Sequence, residues 1–148
     1  RDFLFRSREF TIGEFEFFIH PEEKKCDLLD AEHKNVKLRL LDAETQEKGK
    51  DTLVNSTIGK MVKEGKLEEW HAYWLANGHK FFIQYGANAD KFRIRQHLPD
   101  EKAHYSSDCW DLEYEFPFGF KELQGIADRS DFDLQQHIKH SKKDLSKF

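Results

Sequence analysis

The chain has little of what defines several common protein classes. Its 148 residues include 2 cysteines, Cys26 and Cys109, without the CxxC spacing of a redox or metal motif. That usage fits a reducing cytoplasm better than a disulfide scaffold and predicts two packed structural thiols. The sequence has no run of about 18 apolar residues and no signal-peptide pattern, so it predicts neither a membrane span nor secretion.

Several functional signatures are also missing. The sequence has no Gly-rich phosphate loop and no nucleophilic Ser-His-Asp pattern, so acyl-enzyme chemistry is not indicated. His137 and His140 share a helical face, but no third ligand lies at a zinc spacing and Cys109 has no partner nearby in sequence. A net charge of −4 provides no basic surface for nucleic acid, and no DNA partner is expected.

What the chain does contain is phenylalanine and charge of both signs. The 14 Phe and 3 Trp are enough to build the core of one domain, although 35% of the residues are charged. In the first half, periodicity and breaker residues predict a strand over 36–40, a polar loop over 42–52, a short helix that Thr57 caps and Gly65 ends, and a longer helix from Leu67 towards Tyr85 that Gly86 ends.

The second half returns to strands. Glu122 and Gln124 are expected on a common face of the last strand, because side chains two residues apart share a face. Runs of strands with interposed helices and little β-α alternation indicate an α+β domain, an antiparallel sheet with flanking helices. The predicted elements are strands over 92–97, 110–118 and 120–127, a hairpin turn at Gly119, and a final helix to about His140 that Ser130 or Asp131 caps.

Two faces are superimposed on the first twenty residues. A half-exposed strand with a solvated outer face has the same alternation, so the pattern by itself does not establish a site. Read as a strand, the segment has Phe3, Phe5, Phe15, Phe17 and Ile19 on one side, and Arg6, Arg8, Phe10, Glu14 and Glu16 on the other.

The order of the polar set is what suggests a ligand. Two guanidinium groups come first, then an aromatic ring, then two carboxylates. The planar guanidinium of Arg is the preferred donor group for phosphate, the face of a Phe ring can stack on a base, and paired Glu side chains can hold an ammonium group. The segment therefore favours a nucleotide together with an amine.

The same residues carry a resemblance to a known family. The run RSREF at 6–10, followed by EFEFF at 14–18, resembles the second half of motif 2 of class II aminoacyl-tRNA synthetases, in the form found in dimeric glycyl-tRNA synthetases. Two later segments, 90–116 and 119–134, are similar to the same family. The match is dense over 1–21 and 90–134 and loose from 22 to 89.

The resemblance covers part of an enzyme. Motif 1, the first strand of motif 2, motif 3 and the anticodon-binding domain are not visible in these residues. The resemblance therefore implies that residues 1–148 are a partial class II catalytic domain, with 22–89 as a family-specific insertion. We expect this fragment to be inactive by itself.

The resemblance also implies roles for individual residues. Arg6 would contact the ATP triphosphate and Phe10 the adenine, while Glu14 would receive the glycine ammonium with Glu16 as a second acid. Glu122 would help to hold the Mg²⁺ that accompanies ATP, since carboxylate oxygens suit that ion. Structural salt bridges for the two N-terminal acids, and a plain surface acid for Glu122, are the alternatives.

Two further expectations concern the sheet. Residues 8–19 and 120–128 are expected to be neighbouring antiparallel strands, with Glu14 and Glu122 opening on one concavity. Arg93 and Arg95 either clamp phosphate or pair with acids across the sheet, and the sequence does not separate these alternatives. We favour Arg95 as the ATP-binding residue.

The function implied by the resemblance is that of a glycine–tRNA ligase, an enzyme of protein biosynthesis. It would activate glycine with ATP and Mg²⁺ in the cytoplasm, transfer the glycyl group to tRNA(Gly), and act as a homodimer without a membrane partner. The alternatives are a non-catalytic synthetase-like accessory protein and an RNA-binding module. The combination of Arg6, Phe10, Glu14 and Glu122 argues against the first, and the acidic charge balance argues against the second.

Overall fold

The structure, a computed structural model, describes residues 11–20 and 22–144. Within these ranges no helix is long and apolar enough to cross a membrane. The helices are α1 Ala31–Lys34, α2 Ala43–Glu47, α3 Ile58–Lys63, α4 Glu69–Gln84 and α5 Phe132–Ser141, and the strands are β1 Lys37–Leu41, β2 Val54–Thr57, β3 Phe92–Gln96, β4 Ser106–Phe116 and β5 Gly119–Arg129.

The five described strands form one sheet in the order β2-β1-β3-β4-β5. Neighbouring strands are antiparallel except β1 and β3, which are parallel, so the predicted antiparallel sheet is in fact mixed. The β4–β5 hairpin turns where predicted: Phe116 pairs with Gly119, whose φ of 99° is a conformation that glycine adopts without strain. The α+β class is confirmed.

One face of the sheet is buried under helices. Phe92 and Ile94 of β3 and Trp110 and Leu112 of β4 are 0–1% exposed, and they form one cluster with Leu75 of α4. Successive side chains of a strand point to opposite faces. The residues that alternate with these buried ones along β3 and β4 therefore point to the other face of the sheet. That other side carries the candidate site.

Helix ends follow the capping signals in the sequence. The Thr57 hydroxyl accepts a hydrogen bond from the Lys60 amide at the start of α3, and Gly65 and Gly86 follow α3 and α4 with φ of 70° and 91°. At α5, Asp131 occupies the N-cap position without a side-chain cap bond. The Ser130 hydroxyl accepts from the Phe132 amide instead.

The predicted loop over 42–52 contains the short helix α2, so that prediction was wrong over 43–47. The Asp42 carboxylate caps this helix by accepting from the Thr45 amide. Hydrogen bonds from Lys66 and Thr45 outweigh the effect of burial and lower the Asp42 pKa to about 2. A helix of one turn with little apolar periodicity gives no pattern by which to find it.

The predicted N-terminal strand was wrong over residues 11–20, which are exposed and form no strand. Phe15 lies with its ring centroid 4.8 Å from that of Trp74, and Phe17 lies 5.2 Å from both Trp70 and Trp74. These aromatic contacts draw the segment onto α4, so it does not pair with β5 as predicted. Residues 1–10, with Arg6 and Phe10, lie outside the described residues.

The loosely matched segment 22–89 contributes to the same core as the rest of the chain. Leu38, Ile58, Met61 and Leu75 are 0–4% exposed and belong to one cluster with Trp110. The segment therefore packs as an integral part of the described fold. Its origin as a family-specific insertion stays a prediction.

His79 generates a prediction about pH. Its ring is 5% exposed, packs edge-on against Phe92, and has no hydrogen-bond partner for Nε2 among the described residues. Burial lowers its pKa to about 4. In the unfolded chain an ordinary histidine takes a proton near pH 6.5, so the unfolded state is favoured progressively as pH falls from 6.5 to 4, by up to about 3 kcal/mol.

We therefore expect the free energy of unfolding to fall less steeply over that window in His79→Leu than in the parent chain. Urea denaturation at a series of pH values measures this slope. His140→Leu, at an exposed position of α5, is the matched control and should keep the parent slope. Identical slopes for His79→Leu and the parent would contradict the account.

Candidate functional site

The face of the sheet opposite the core is lined by ionisable side chains, and we call it the charged face. Cross-strand pairing aligns its residues: Arg93 lies opposite Glu113, and Arg95 lies opposite Asp111. The next strand continues the face, with Gly125 opposite Asp111. The charged face consists of Arg93, Arg95, His97, Cys109, Asp111, Glu113 and Glu122.

Arg93 is held tightly within this face. Its Nε donates to Glu113 Oε2 at 2.5 Å, and the side chains are 16% and 12% exposed. The guanidinium carbon also lies 4.0 Å from the centroid of the Phe120 ring, which favours a cation. Removing either member of such a pair would leave an uncompensated charge, so Arg93 is committed to Glu113.

Arg95 is held by a more accessible acid. Its Nη2 donates to both carboxylate oxygens of Glu101 at 2.7 Å, and its Nη1 lies 3.9 Å from Asp111 Oδ2. The Leu98 amide and Arg95 together lower the pKa of Glu101. The Glu101 side chain is 40% exposed, against 12% for Glu113, so the Arg95 pair exchanges partners more readily. In this structure both arginines pair with acids.

A bulge in β5 decides where Glu122 points. Gln124 lies opposite Leu112 while Glu122 lies opposite Glu113, which leaves Leu123 as the extra residue. Glu122 therefore belongs to the charged face, whereas Gln124 lies against Gly78 of α4 on the core side. The prediction that Glu122 and Gln124 share a face was wrong, because the bulge interrupts the alternation.

Gly125 leaves room for two carboxylates. A β-carbon at this position would lie 3.2 Å from Glu122 Oε1 and 3.5 Å from Asp111 Oδ1. Both acids therefore extend over the glycine, into the space that a side chain would occupy. Hard carboxylate oxygens gathered in this way are the donors that Mg²⁺ prefers.

The two N-terminal acids have different environments. Glu16 Oε1 accepts from Arg129 Nη1 at 2.5 Å, and Arg129 also pairs with Asp133. In this structure Glu16 therefore forms the structural salt bridge that was the alternative to glycine binding. Glu14 is exposed and makes no hydrogen bond or ion pair with another described residue. Over the described residues 11–19, the strand pairing that was expected to place Glu14 beside Glu122 does not form. The glycine-binding role of both acids stays a prediction.

Three side chains of different chemistry meet at one end of the charged face. His97 Nε2 lies 2.9 Å from Asp111 Oδ2, and the His97 amide donates to the Cys109 carbonyl at 2.9 Å. One ligand atom from each of His97, Cys109 and Asp111 lies within 4.8 Å of the others. The sequence analysis missed this group because His97 is brought to Cys109 and Asp111 by the pairing of two strands. A short spacing between the three residues along the sequence, which a motif search could find, does not exist.

The Cys109 thiol lies in surroundings that disfavour its thiolate form. Burial, with the nearby carboxylates of Asp111, Asp108 and Glu122, raises its pKa to about 12. Burial also raises the pKa of Cys26. Since the thiolate is the reactive form, burial makes both thiols less reactive than an ordinary cysteine, in agreement with the structural role that the sequence predicted.

No protein-family model matches the chain. The chain is 42% identical over 154 residues to a glycine–tRNA ligase of Methanocaldococcus jannaschii. It is 42% identical over 148 residues to glycine–tRNA ligase 2 of Saccharomyces cerevisiae. It is also 38% identical over 142 residues to an Arabidopsis thaliana protein named as a cytoplasmic glycine–tRNA ligase. These matches cover 100%, 99% and 95% of the chain.

The matches cover a smaller share of the relatives. The chain spans 26%, 24% and 30% of their respective lengths. It is therefore similar, from end to end, to one segment of glycine–tRNA ligases. The resemblance carried by the motifs of residues 1–21 and 90–134 is confirmed.

The raised pKa of Cys109 generates a second prediction. At pH 8 the thiolate fraction falls from about a quarter for an ordinary cysteine to roughly 1 in 10⁴ when the pKa is about 12, and only part of this is offset by higher intrinsic nucleophilicity. In Cys26→Ser, where Cys109 is the remaining thiol, Ellman's reagent should react about 100-fold more slowly before unfolding in urea than after. Equal rates before and after unfolding would contradict the assignment.

Proposed function

We propose that this chain is part of the catalytic domain of a cytoplasmic glycine–tRNA ligase. The enzyme would activate glycine with ATP to form glycyl-adenylate and transfer the glycyl group to tRNA(Gly). The observation that carries the proposal is the similarity of the whole chain to one segment of proteins with that name. The word "cytoplasmic" in the name of the Arabidopsis relative supports the compartment.

The charged face supports an ATP site with two kinds of group. Arg95 can exchange its accessible partner Glu101 for a phosphate group, because a guanidinium binds the oxygens of a carboxylate and of a phosphate in the same way. Arg93 is the less suitable of the two arginines, since its partner Glu113 is buried. This difference supports Arg95 as the ATP-binding residue.

The carboxylates over Gly125 fit a magnesium ion. Glu122 is exposed, and its carboxylate and that of Asp111 both lie over Gly125, which places oxygen donors of the kind that Mg²⁺ prefers on this face. When bound, Mg²⁺ would neutralise phosphate charge in the transition state. The role of Glu122 is to hold the ion and thereby orient the phosphates.

The chemistry requires alignment more than protein nucleophiles. The glycine carboxylate attacks the α-phosphate of ATP, so the protein contributes by orienting the two substrates and stabilising charge. By resemblance, Arg6 contacts the triphosphate and Phe10 the adenine, and Glu14 and Glu16 face the glycine ammonium. The raised pKa of Cys109 agrees with a reaction that has no acyl-enzyme intermediate.

Other parts of the proposal rest on the resemblance. The complete enzyme would be a homodimer, with residues 22–89 as a family-specific insertion in each catalytic domain. The chain by itself would be inactive, because the preceding arginine of motif 2 and the whole of motif 3 are needed for adenylate formation.

Glu14 provides the test of the proposed function. In the complete enzyme, Glu14→Gln removes the charge that faces the glycine ammonium and leaves the contacts to ATP in place. A charged hydrogen bond of about 1.5–3 kcal/mol corresponds to a loss of about 10–150-fold in kcat/KM for glycine. ATP–pyrophosphate exchange, measured while each substrate is varied separately, should show little change for ATP.

Two further variants complete the experiment. Glu47→Gln, at an exposed position of α2, is the matched control and should leave both specificity constants unchanged. Phe10→Ala should show the opposite bias and raise the ATP requirement first. Equal glycine and ATP defects in Glu14→Gln would mean that Glu14 has a structural role and does not bind the amino group.

A further inference from the structure

We propose that His97, Cys109 and Asp111 form a binding site for one divalent metal ion of the zinc class. The three side chains offer an imidazole nitrogen, a sulfur and a carboxylate oxygen. They come from two neighbouring strands, with His97 directly after β3 and the other two residues in β4. The proposal does not depend on the function proposed above.

The backbone holds the three positions in place. The His97 amide donates to the Cys109 carbonyl at 2.9 Å, and Asp111 is paired across the sheet with Arg95 on one side and Gly125 on the other. The three residues therefore sit on a rigid ladder of hydrogen bonds. A site on strands needs only side-chain rotation to close around an ion.

The distances between the ligand atoms fit a zinc-sized ion. Zinc–ligand bonds of about 2.0–2.3 Å in tetrahedral geometry place the ligand atoms roughly 3.3–3.8 Å from one another. The ligand atoms of the group lie within 4.8 Å of one another, and His97 Nε2 lies 2.9 Å from Asp111 Oδ2. The ion would move these two atoms slightly apart, and small side-chain rotations would complete the geometry.

The electrostatics around Cys109 favour a cation. Asp108, Asp111 and Glu122 all place negative charge near the thiol. Two cations oppose this charge: Lys102 acts on the thiol, and Arg95 Nη1 lies 3.9 Å from Asp111 Oδ2. Glu101 already binds the Arg95 guanidinium through two oxygens, which offsets its charge. Binding would form a sulfur–metal bond and release the thiol proton to solvent.

The donor set distinguishes this site from the proposed magnesium site, with which it shares Asp111. Nitrogen and sulfur ligands suit zinc and cobalt, whereas magnesium prefers oxygen and keeps much of its water. Glu122 and Asp111 supply only oxygen. With three protein ligands, the group would leave a fourth position open to water or to another ligand.

Cobalt titration tests the proposal directly. The chain is purified without a histidine tag, reduced, and titrated with Co²⁺ while its absorption spectrum is recorded. We expect one equivalent to produce a sulfur-to-cobalt charge-transfer band together with the visible bands of a tetrahedral site, and zinc to displace it. Absence of the charge-transfer band in the parent chain would overturn the proposal.

Variants separate this site from other ligands on the chain. Cys109→Ser should lose the charge-transfer band and bind zinc at least about 10-fold more weakly, since even the loss of an outer-shell partner costs that much. Cys26→Ser removes the other thiol and should keep both properties. A band that persists in Cys109→Ser, or that disappears in Cys26→Ser, would overturn the assignment.

A second ligand variant guards against misfolding. His97→Gln retains a polar side chain at a partly exposed position, and far-ultraviolet circular dichroism checks its fold. It should also weaken zinc binding by at least about 10-fold, whereas His137→Gln, on exposed α5, should not. Unchanged zinc affinity in folded His97→Gln would overturn the proposal.

Discussion

Burial of the apolar face of β3 and β4 is the constraint on which the rest of the structure depends. Trp110 and Leu112 are fully buried against the helices, and β3 contributes Phe92 and Ile94 to the same layer. A slip of one residue in either strand would expose this layer and bury the charged residues between its members. The hydrophobic layer therefore fixes which acids and bases meet on the opposite face, including Asp111.

The charged face must then satisfy buried charge. Asp111 and Glu113 are 6% and 9% exposed, a burial that carboxylates tolerate only with partners. Arg93 pairs with Glu113, while His97 and Arg95 both approach Asp111. One arrangement thus meets a structural need and leaves an arginine with an accessible partner, Glu101, near oxygen donors, which is what the proposed ATP site requires.

The parts of this fold that the sequence predicted are those governed by regular periodicity. Alternation located β3, β4 and β5, and glycine after an apolar helical pattern located the end of α4 at Gly86. Local exceptions to this periodicity were not predicted. The bulge at Leu123 places the Gln124 side chain on the core side of the sheet, opposite to the predicted face. The grouping of His97 with Cys109 was invisible because strand register, a non-local property, creates it. Residues 11–20 form no strand, and Phe15 and Phe17 contact tryptophan rings of α4.

The central claim, that register commits buried partners to one another on the charged face, is tested most directly by a double-mutant cycle on Arg93 and Glu113. Unfolding free energies of Arg93→Ala, Glu113→Ala and the double variant give the coupling energy. The account predicts a coupling above about 1.5 kcal/mol, and below about 1 kcal/mol for the more exposed pair Glu16–Arg129 measured in the same way. Equal couplings for the two pairs, or none between Arg93 and Glu113, would contradict it.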